Sequence, residues 1–331
     1  MRTARLHKAW DIRVEEEPEP QPGQDECLVR VTAVGICGSD LHWMNEGAIG
    51  DATLARPLVL GHEAAGLIAS GPRAGQRVAI DPAIPCQACR ACLDGYRNLC
   101  PAVRFAGHGT TDGALRELMA WPRDRLHPLP GAISDSAGAL LEPLGVAIQC
   151  VDLGHLPFAG TAAVIGCGPI GLLLIALLKA GGASAVLAVE PREHRRLAAS
   201  QFGADQVAGP DAPLGELTGY GVDVAFEVAG HSDAVQLAMT AARPGGRVVL
   251  AGIPDDDRTT FRASAARRKG LTIAMVRRMN EVYPRAIDLA ARAVVDLDAL
   301  VTSRAGLAEV EQAFQHAARR TGLKTVIEPQ R

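Results

Sequence analysis

The sequence predicts an α/β chain of two domains: a compact, irregular β domain and a doubly wound parallel sheet. Three observations carry this expectation. Between residues 147 and 276, continuously apolar strand-length runs alternate with helix-length segments, the pattern of a parallel sheet covered on both faces. Residues 1–146 hold short β-like runs among frequent Pro and Gly, and residues 277–331 carry two helix-length segments and a final strand. The length, 331 residues, suits two domains of ordinary size.

Each element has its own signal. In ECLVRVTAVGIC, Val29, Val31 and Ala33 alternate with Arg30 and Thr32, which predicts a half-buried strand. RPLVLGHEAAGLIAS and GQRVAIDP read as further strands separated by turns. Residues 162–166 (AAVIG) and 185–190 (AVLAVE) read as buried strands on either side of a helix from Ile170 to Ala180. PREHRRLAASQFGAD is an amphipathic helix ending at Gly203, followed by a strand over 222–230, a helix over 232–242 and a strand over 246–253. KTVIE supplies the last strand. No internal repeat, low-complexity tract or long linker interrupts the order.

Composition excludes several classes of function. Hydrophobic residues at 48% and charged residues at 21% exclude a disordered chain, which could not offset the entropy of ordering. The 34 basic and 37 acidic residues leave a net charge of −3, so no broad field favours a nucleic acid or an anionic membrane. The start, MRTARLHKAW, lacks the apolar core of a secretory signal. The longest uncharged stretch, His155 to Leu178, is broken by Gly160, Gly166, Gly168, Pro169 and Gly171, so a strand, a tight turn and a buried helix are expected rather than a membrane span. A soluble cytoplasmic protein is the expectation, its eight cysteines thiols or metal ligands rather than disulfides.

The first chemical signal is VIGCGPIG, in which Gly166, Gly168 and Gly171 form G-x-G-x-x-G. The first glycine permits the tight turn, the second lets the backbone approach a pyrophosphate, and the third allows close helix–strand packing. The motif follows an apolar strand, opens a helix, and precedes Glu190 at the end of the next strand. A carboxylate there accepts ribose hydroxyls and repels a 2′-phosphate, which favours NAD over NADP. Arg192 and Arg195 stand just beyond and complicate this reading, since Arg can receive a 2′-phosphate; the ordinary alternative is that they are solvated helix charges, or that Arg195 packs near the adenine.

The second signal is metal. Cys86, Cys89, Cys92 and Cys100 form C-x2-C-x2-C-x7-C, four thiolates suited to one closed, tetrahedral, structural zinc site. Cys37, His62, Glu63 and Glu142 are far apart in the chain, and each has an ordinary explanation: a core Cys, a satisfied structural His, a solvated Glu. Spacing alone does not bring them together, so a second, catalytic metal stays one of two readings on these grounds. Cys27, Cys150 and Cys167 read as core or turn residues.

GICGSDLH, PLVLGHE, the four-cysteine loop, the EPL segment and VIGCGPIG occur in the order of the zinc-dependent medium-chain alcohol dehydrogenases. Over essentially its whole length the chain most resembles the polyol (sorbitol/L-iditol, xylitol) dehydrogenases of that superfamily, with EGAIGDATLARPLVLGHEAAG as the nearest local match. The resemblance implies a GroES-like (chaperonin-10-like) β domain from residues 1–146 and 277–331, and a Rossmann NAD-binding domain from 147–276. It implies two zinc ions per subunit, one structural and one catalytic. The catalytic zinc would be held by Cys37, His62 and Glu63, with Glu142 as the alternative ligand, and would lower the pKa of a bound alcohol so that hydride passes to NAD. Ser39, His42 and Glu142 would carry the alcohol proton away. Ile170, Glu190, Arg195, Gly252, Ile253, Met275, Val276 and Arg277 fall at cofactor positions, and Arg277 also near the substrate. A homotetramer is implied, with a homodimer second.

Two departures bear on the substrate. The polyol enzymes commonly have Tyr where this chain has Trp43, and Tyr after the pocket Arg where this chain has Arg278. Trp keeps an apolar wall but moves or loses a polar contact. A second guanidinium suits a carboxylate or phosphate, which admits a sugar acid or sugar phosphate as substrate. The rival readings are an L-threonine 3-dehydrogenase-like enzyme, with which the chain shares an EP-containing turn at Glu190–Pro191, and a catalytically silent NAD-binding regulatory protein. An open zinc site would be of no use to the latter.

Overall fold

The computed structural model describes all 331 residues, in two compact units: Met1–Pro143 with Asn280–Arg331, and Leu144–Met279. In the second unit, Ala162 to Ile165 are fully apolar and form the end of strand β1 (Thr161–Ile165). The other strands are β2 (Ala185–Val189), β3 (Gln206–Ala208), β4 (Val222–Glu227), β5 (Ala242–Leu250) and β6 (Thr272–Met275). All pairings are parallel and the spatial order is β3-β2-β1-β4-β5-β6. The order reverses between β1 and β4, so the crevice for a dinucleotide lies beyond the carboxyl ends of those two strands.

Helix Pro169–Ala180 follows β1, with Pro169 in its first turn, where a missing N–H costs nothing. Leu172, Leu173, Leu174 and Ile175 are all buried, so the helix is apolar nearly all round, as expected of one covered on most sides. Each such side chain contributes roughly 1.5–3 kcal/mol of burial. Helices Glu193–Gln201 and Ser232–Ala241 lie near their expected positions.

Two strands end earlier than the sequence suggests. β4 stops at Glu227 rather than at residue 230, because the Glu227 carboxylate accepts the amides of Ala229 and Gly230, each at 2.7 Å, and closes a turn. β5 stops at Leu250 rather than at residue 253, because the amides of Ala251 and Gly252 turn to the Glu227 carbonyl. These bends take the place of further ladder pairing at the carboxyl edge.

The first unit is built on a seven-stranded sheet. Its central strand, Glu26–Gly35, buries Val29, Val31 and Ala33 and exposes Arg30, as the alternation requires. It pairs antiparallel with Glu63–Ile68 and Leu118–Pro122, and its end pairs with Lys324–Glu328 from the far end of the chain. Strands from the first part of the chain and from its last segment therefore build one sheet, over an apolar core that includes Leu6, Val31, Trp43, Leu60, Met119 and Phe314. The register places Gly35 opposite Glu63 on one side and Val326 on the other. A Cβ on Gly35 would fall 2.0 Å from Glu63 Oε2, so this strand must carry glycine where the Glu63 carboxylate lies across it.

Candidate active site and metal centres

Cys37 lies two residues past the central strand of the first unit and caps the start of helix Gly38–Glu46, while His62 precedes and Glu63 opens the adjacent strand. Gly61 immediately precedes them with φ +92°, and a Cβ there would meet Val34 at 2.8 Å, so the turn that aims His62 needs glycine on both counts. The result joins residues separated in sequence: the ligand atoms of Cys37, His62 and Glu63 all lie within 4.8 Å of one another. His62 and Glu63 are buried and Cys37 half-buried.

Asp40 organises this group, and sequence reasoning passed over it. It is 1% exposed, accepts the Cys37 amide at 2.9 Å through Oδ2 and the Gly61 amide at 3.3 Å through Oδ1, and places Oδ1 3.4 Å from His62 Nδ1. A carboxylate there favours the proton on Nδ1 and leaves the Nε2 lone pair for a metal, the usual support of a ligating histidine. Burial works against ionising Asp40, but His62 and the two amides hold its carboxyl below the usual range. Burial likewise works against an imidazolium at His62, yet Asp40 and Cys37 outweigh it and raise that group well above its usual value. The groups that draw a proton to His62, Asp40 first among them, would equally draw a metal cation. Thiolate, imidazole and carboxylate, buried and convergent, are a donor set that fits a three-ligand zinc site with a position left for water or substrate.

Lys324 is the second residue the sequence did not single out. Its Nζ donates to both Glu63 oxygens, each at 2.7 Å, and to the Ile36 carbonyl at 3.0 Å. The signal was present in KTVIE: a lysine opening an apolar strand destined for burial. Glu142, in the first turn of helix Leu141–Gly154, is also buried but lies outside the close ligand group. Burial, with a push from Glu63 and against the pull of His62 and Lys324, raises its carboxyl to about 7. Ser39 Oγ stands 3.4 Å from His62 Nε2. His42 Nδ1 lies 3.7 Å from Glu46 on the same helix, and Trp43 is packed in the apolar core, edge-on to His108 at 5.5 Å.

The four-cysteine loop closes on itself. The sulfurs of Cys86, Cys89, Cys92 and Cys100 lie within 4.8 Å of one another. Backbone amides point at two of them, Cys86 donating to Cys100 Sγ at 3.4 Å and Cys89 to Cys86 Sγ at 3.3 Å. Amides of Ala88 and Cys89 pull the Cys86 thiol down to about 6, toward the thiolate a metal needs. The loop is moored by Arg97 to Glu281 and by Asn280 Nδ2 to the Gly95 carbonyl at 2.8 Å. Cys150 and Cys167, by contrast, are buried away from such groups, and burial pushes both thiols up to about 12.

In the second unit, Gly166 adopts φ +100°, and a Cβ on Gly171 would fall 2.0 Å from the Gly166 carbonyl, so the turn and the close packing need these two glycines. Gly168 caps the helix that follows. Glu190, just past β2, is 4% exposed, and its carboxylate accepts the Cys167 amide at 2.8 Å and the Arg192 amide at 3.0 Å. One side chain thereby ties the glycine turn to the end of β2. A Cβ on Gly168 would lie 3.6 Å from Arg195 Nη1, so that guanidinium reaches back toward the turn. Ile170, Gly252 and Val276 are half-buried, while Ile253, Met275 and Arg277 are exposed; Arg278 is half-buried with φ +54°.

The molecule's relatives agree with this chemistry. Residues 23–131 match the alcohol dehydrogenase GroES-like domain, and residues 169–292 match the zinc-binding dehydrogenase family. A sorbitol dehydrogenase of Bacillus subtilis is 34% identical over 346 residues, covering 100% of this chain and 98% of that protein. L-idonate 5-dehydrogenase of Escherichia coli superposes with a TM-score of 0.93 at 26% identity, over 99% of this chain and 97% of the other. Galactitol-1-phosphate dehydrogenase of Escherichia coli gives 0.90 at 26% identity, over 99% and 100%.

Proposed function

The chain belongs to the zinc-binding medium-chain alcohol dehydrogenases, and from that premise we propose that it oxidises a secondary hydroxyl of a polyol or sugar alcohol to the ketose, with NAD as hydride acceptor. The observation that carries the reading is the convergence of Cys37, His62 and Glu63 around the support of Asp40. Zinc held there would supply Lewis acidity, lowering the pKa of an alcohol at its open position. Asp40 keeps the His62 ring oriented, and the Ser39 hydroxyl, beside His62, takes the alcohol proton onward. The buried Glu142, with its carboxyl near neutrality, is the proton store next along that route. Cys86, Cys89, Cys92 and Cys100 would hold a structural zinc with no open position. Glu190, negative and fixed beside the glycine turn, supports NAD over NADP.

The sorbitol dehydrogenase relative favours a neutral polyol. A second reading, an anionic sugar acid or phosphate, is favoured by the two consecutive arginines Arg277 and Arg278. Reduction of NAD by the zinc-loaded protein over sorbitol, xylitol, ribitol, galactitol, L-threonine, a sugar acid and a polyol phosphate separates these. A neutral polyol turned over best is the expected result. An anionic substrate turned over best would replace it with the second reading, and silence throughout would leave a binding protein.

The outer edge of the six-stranded sheet, β6, carries Ile273 and Met275, 37% and 67% exposed. An open apolar edge supports self-association, and we propose a homotetramer, with a homodimer second, to be checked by light scattering. No helix is long and apolar enough to cross a membrane. Eight free cysteines, four of them in one metal-suited loop, are more usual in a reducing compartment, which supports the cytoplasm.

A further inference from the structure

Of the chain's four lysines, only Lys324 is buried. Its side chain is 4% exposed and that of its partner Glu63 is 1% exposed. All three ammonium protons are accounted for: two go to the Glu63 oxygens and one to the Ile36 carbonyl. The pairing is set by the sheet, because the strands Glu63–Ile68 and Lys324–Glu328 flank the end of the central strand on opposite sides. Gly35 between them leaves the space in which the carboxylate lies. Each carboxylate oxygen has two acceptor sites. Both oxygens are therefore engaged by Lys324 while retaining capacity on the side of Cys37 and His62, whose ligand atoms lie within 4.8 Å.

We propose that Lys324 is a positioning residue that shares Glu63 with the catalytic metal, restraining the carboxylate from ligating through both oxygens so that the fourth coordination position stays open to the substrate. The inference rests on the reading of Cys37, His62 and Glu63 as the metal group. Charge sets the sign of the effect. An ammonium beside a cation site repels the metal and also competes for the same carboxylate, so its removal favours metal binding on both counts. A purely structural ion pair gives the opposite expectation: its loss would lower stability and leave the metal affinity unchanged or weaker.

The test uses the full-length protein and four variants: Lys324→Met, Lys324→Gln, Lys324→Arg and Cys37→Ser. Zinc affinity is read by chelator competition, and ligation by the visible absorption of the cobalt-substituted protein. Lys324→Met, which removes a like charge beside the metal, is expected to hold the catalytic-site zinc about tenfold more tightly, with an altered cobalt spectrum and kcat reduced more than KM. Lys324→Arg, which restores a bidentate cation, is expected to return all three toward the wild type. Unchanged or weaker zinc binding in folded Lys324→Met, with an unchanged cobalt spectrum, overturns the proposal. Should Lys324→Met fail to fold, Lys324→Gln decides: it keeps a polar donor near Glu63 while removing the charge, and unchanged or weaker zinc binding there with an unchanged cobalt spectrum also overturns it. Cys37→Ser separates this from the underlying reading, since full retention of zinc in that variant would remove the metal site itself, whatever Lys324 does.

Discussion

A single carboxylate, Asp40, decides the geometry of the candidate metal group. Its two oxygens bind the amides of Cys37 and Gly61 and face His62 Nδ1, so one residue sets the position of two ligands. Asp40→Asn preserves the shape but turns a charged acceptor into a neutral amide. A 10–100-fold loss in kcat/KM is expected, with the far-UV circular dichroism unchanged; activity within twofold of the wild type would remove Asp40 from the mechanism. Glu190 plays a comparable part for the cofactor. Glu190→Ser leaves the amides of Cys167 and Arg192 without their charged acceptor and removes the repulsion of a 2′-phosphate. Its expected signature is a higher KM for NAD and a preference for NAD over NADP reduced by about tenfold or more, on the order of 1.4 kcal/mol. Equal effects on both cofactors would show Glu190 to be a structural tie only. At this scale the sequence was legible where a motif carried it: Cys37, His62, Glu63 and Glu190 were found by their neighbours in the chain. Asp40 sits inside the same GICGSD segment but has no motif signal of its own, because what matters is which amides it reaches after the chain has turned at Gly61.

Among the elements, the four-cysteine loop stands apart from the candidate active site in its chemistry. Cys92→Ser should remove about one zinc per chain and lower the melting temperature by several degrees. Retention of wild-type zinc content would refute the structural-zinc assignment. The strand Arg77–Ile80 leads into Asp81, a buried carboxylate whose Oδ2 lies 3.2 Å from Arg125 and whose Oδ1 accepts the Ala83 amide at 3.0 Å. Burial pushes its carboxyl up to about 6, against the Ala83 amide and Arg125 and with help from Glu281. The folded protein therefore keeps a proton that the unfolded chain has released, and stability falls as pH rises from about 4 to 6, by at most about 3 kcal/mol. His127, stacked on Tyr283 at 4.5 Å, has the opposite slope: burial and Arg125 push it down to about 4, so stability falls as pH drops below about 6.5. Urea unfolding of the wild type and of Asp81→Asn from pH 4 to 7.5 isolates the first effect, since His127 is present in both. The wild type is expected to lose ground to the variant up to about pH 6 and to run parallel above it; parallel curves throughout would remove the effect. The elements themselves were readable from hydrophobic period, except at the carboxyl edge of the parallel sheet. There the Glu227 side chain and main chain draw residues 229–230 and 251–252 into turns that apolar runs do not encode.

At the scale of the molecule, the interleaving of the chain is what makes the metal group possible. The final strand, Lys324–Glu328, joins a sheet begun near residue 26, and brings Lys324 to Glu63 across 261 positions of sequence. Truncation before Lys324 should accordingly cost more than one edge strand. Loss of soluble, zinc-binding protein is expected, read by expression and zinc content; a stable protein with full zinc content would show that the last strand is dispensable. The same interleaving puts two metal groups and much of the core in a unit that is discontinuous in sequence, while the dinucleotide turn lies in a continuous one.

The sequence by itself determined what is local. A glycine turn, a four-thiolate loop and the alternation of apolar strands and helices are set by spacings of a few residues, where backbone geometry and burial act directly. Tertiary structure alone decided which distant groups meet. Cys37, His62 and Glu63 converge because two neighbouring strands place their ends side by side, and Lys324 completes the group because a third strand arrives from the end of the chain. A buried carboxylate needs a partner, and sheet pairing rather than sequence distance chose it.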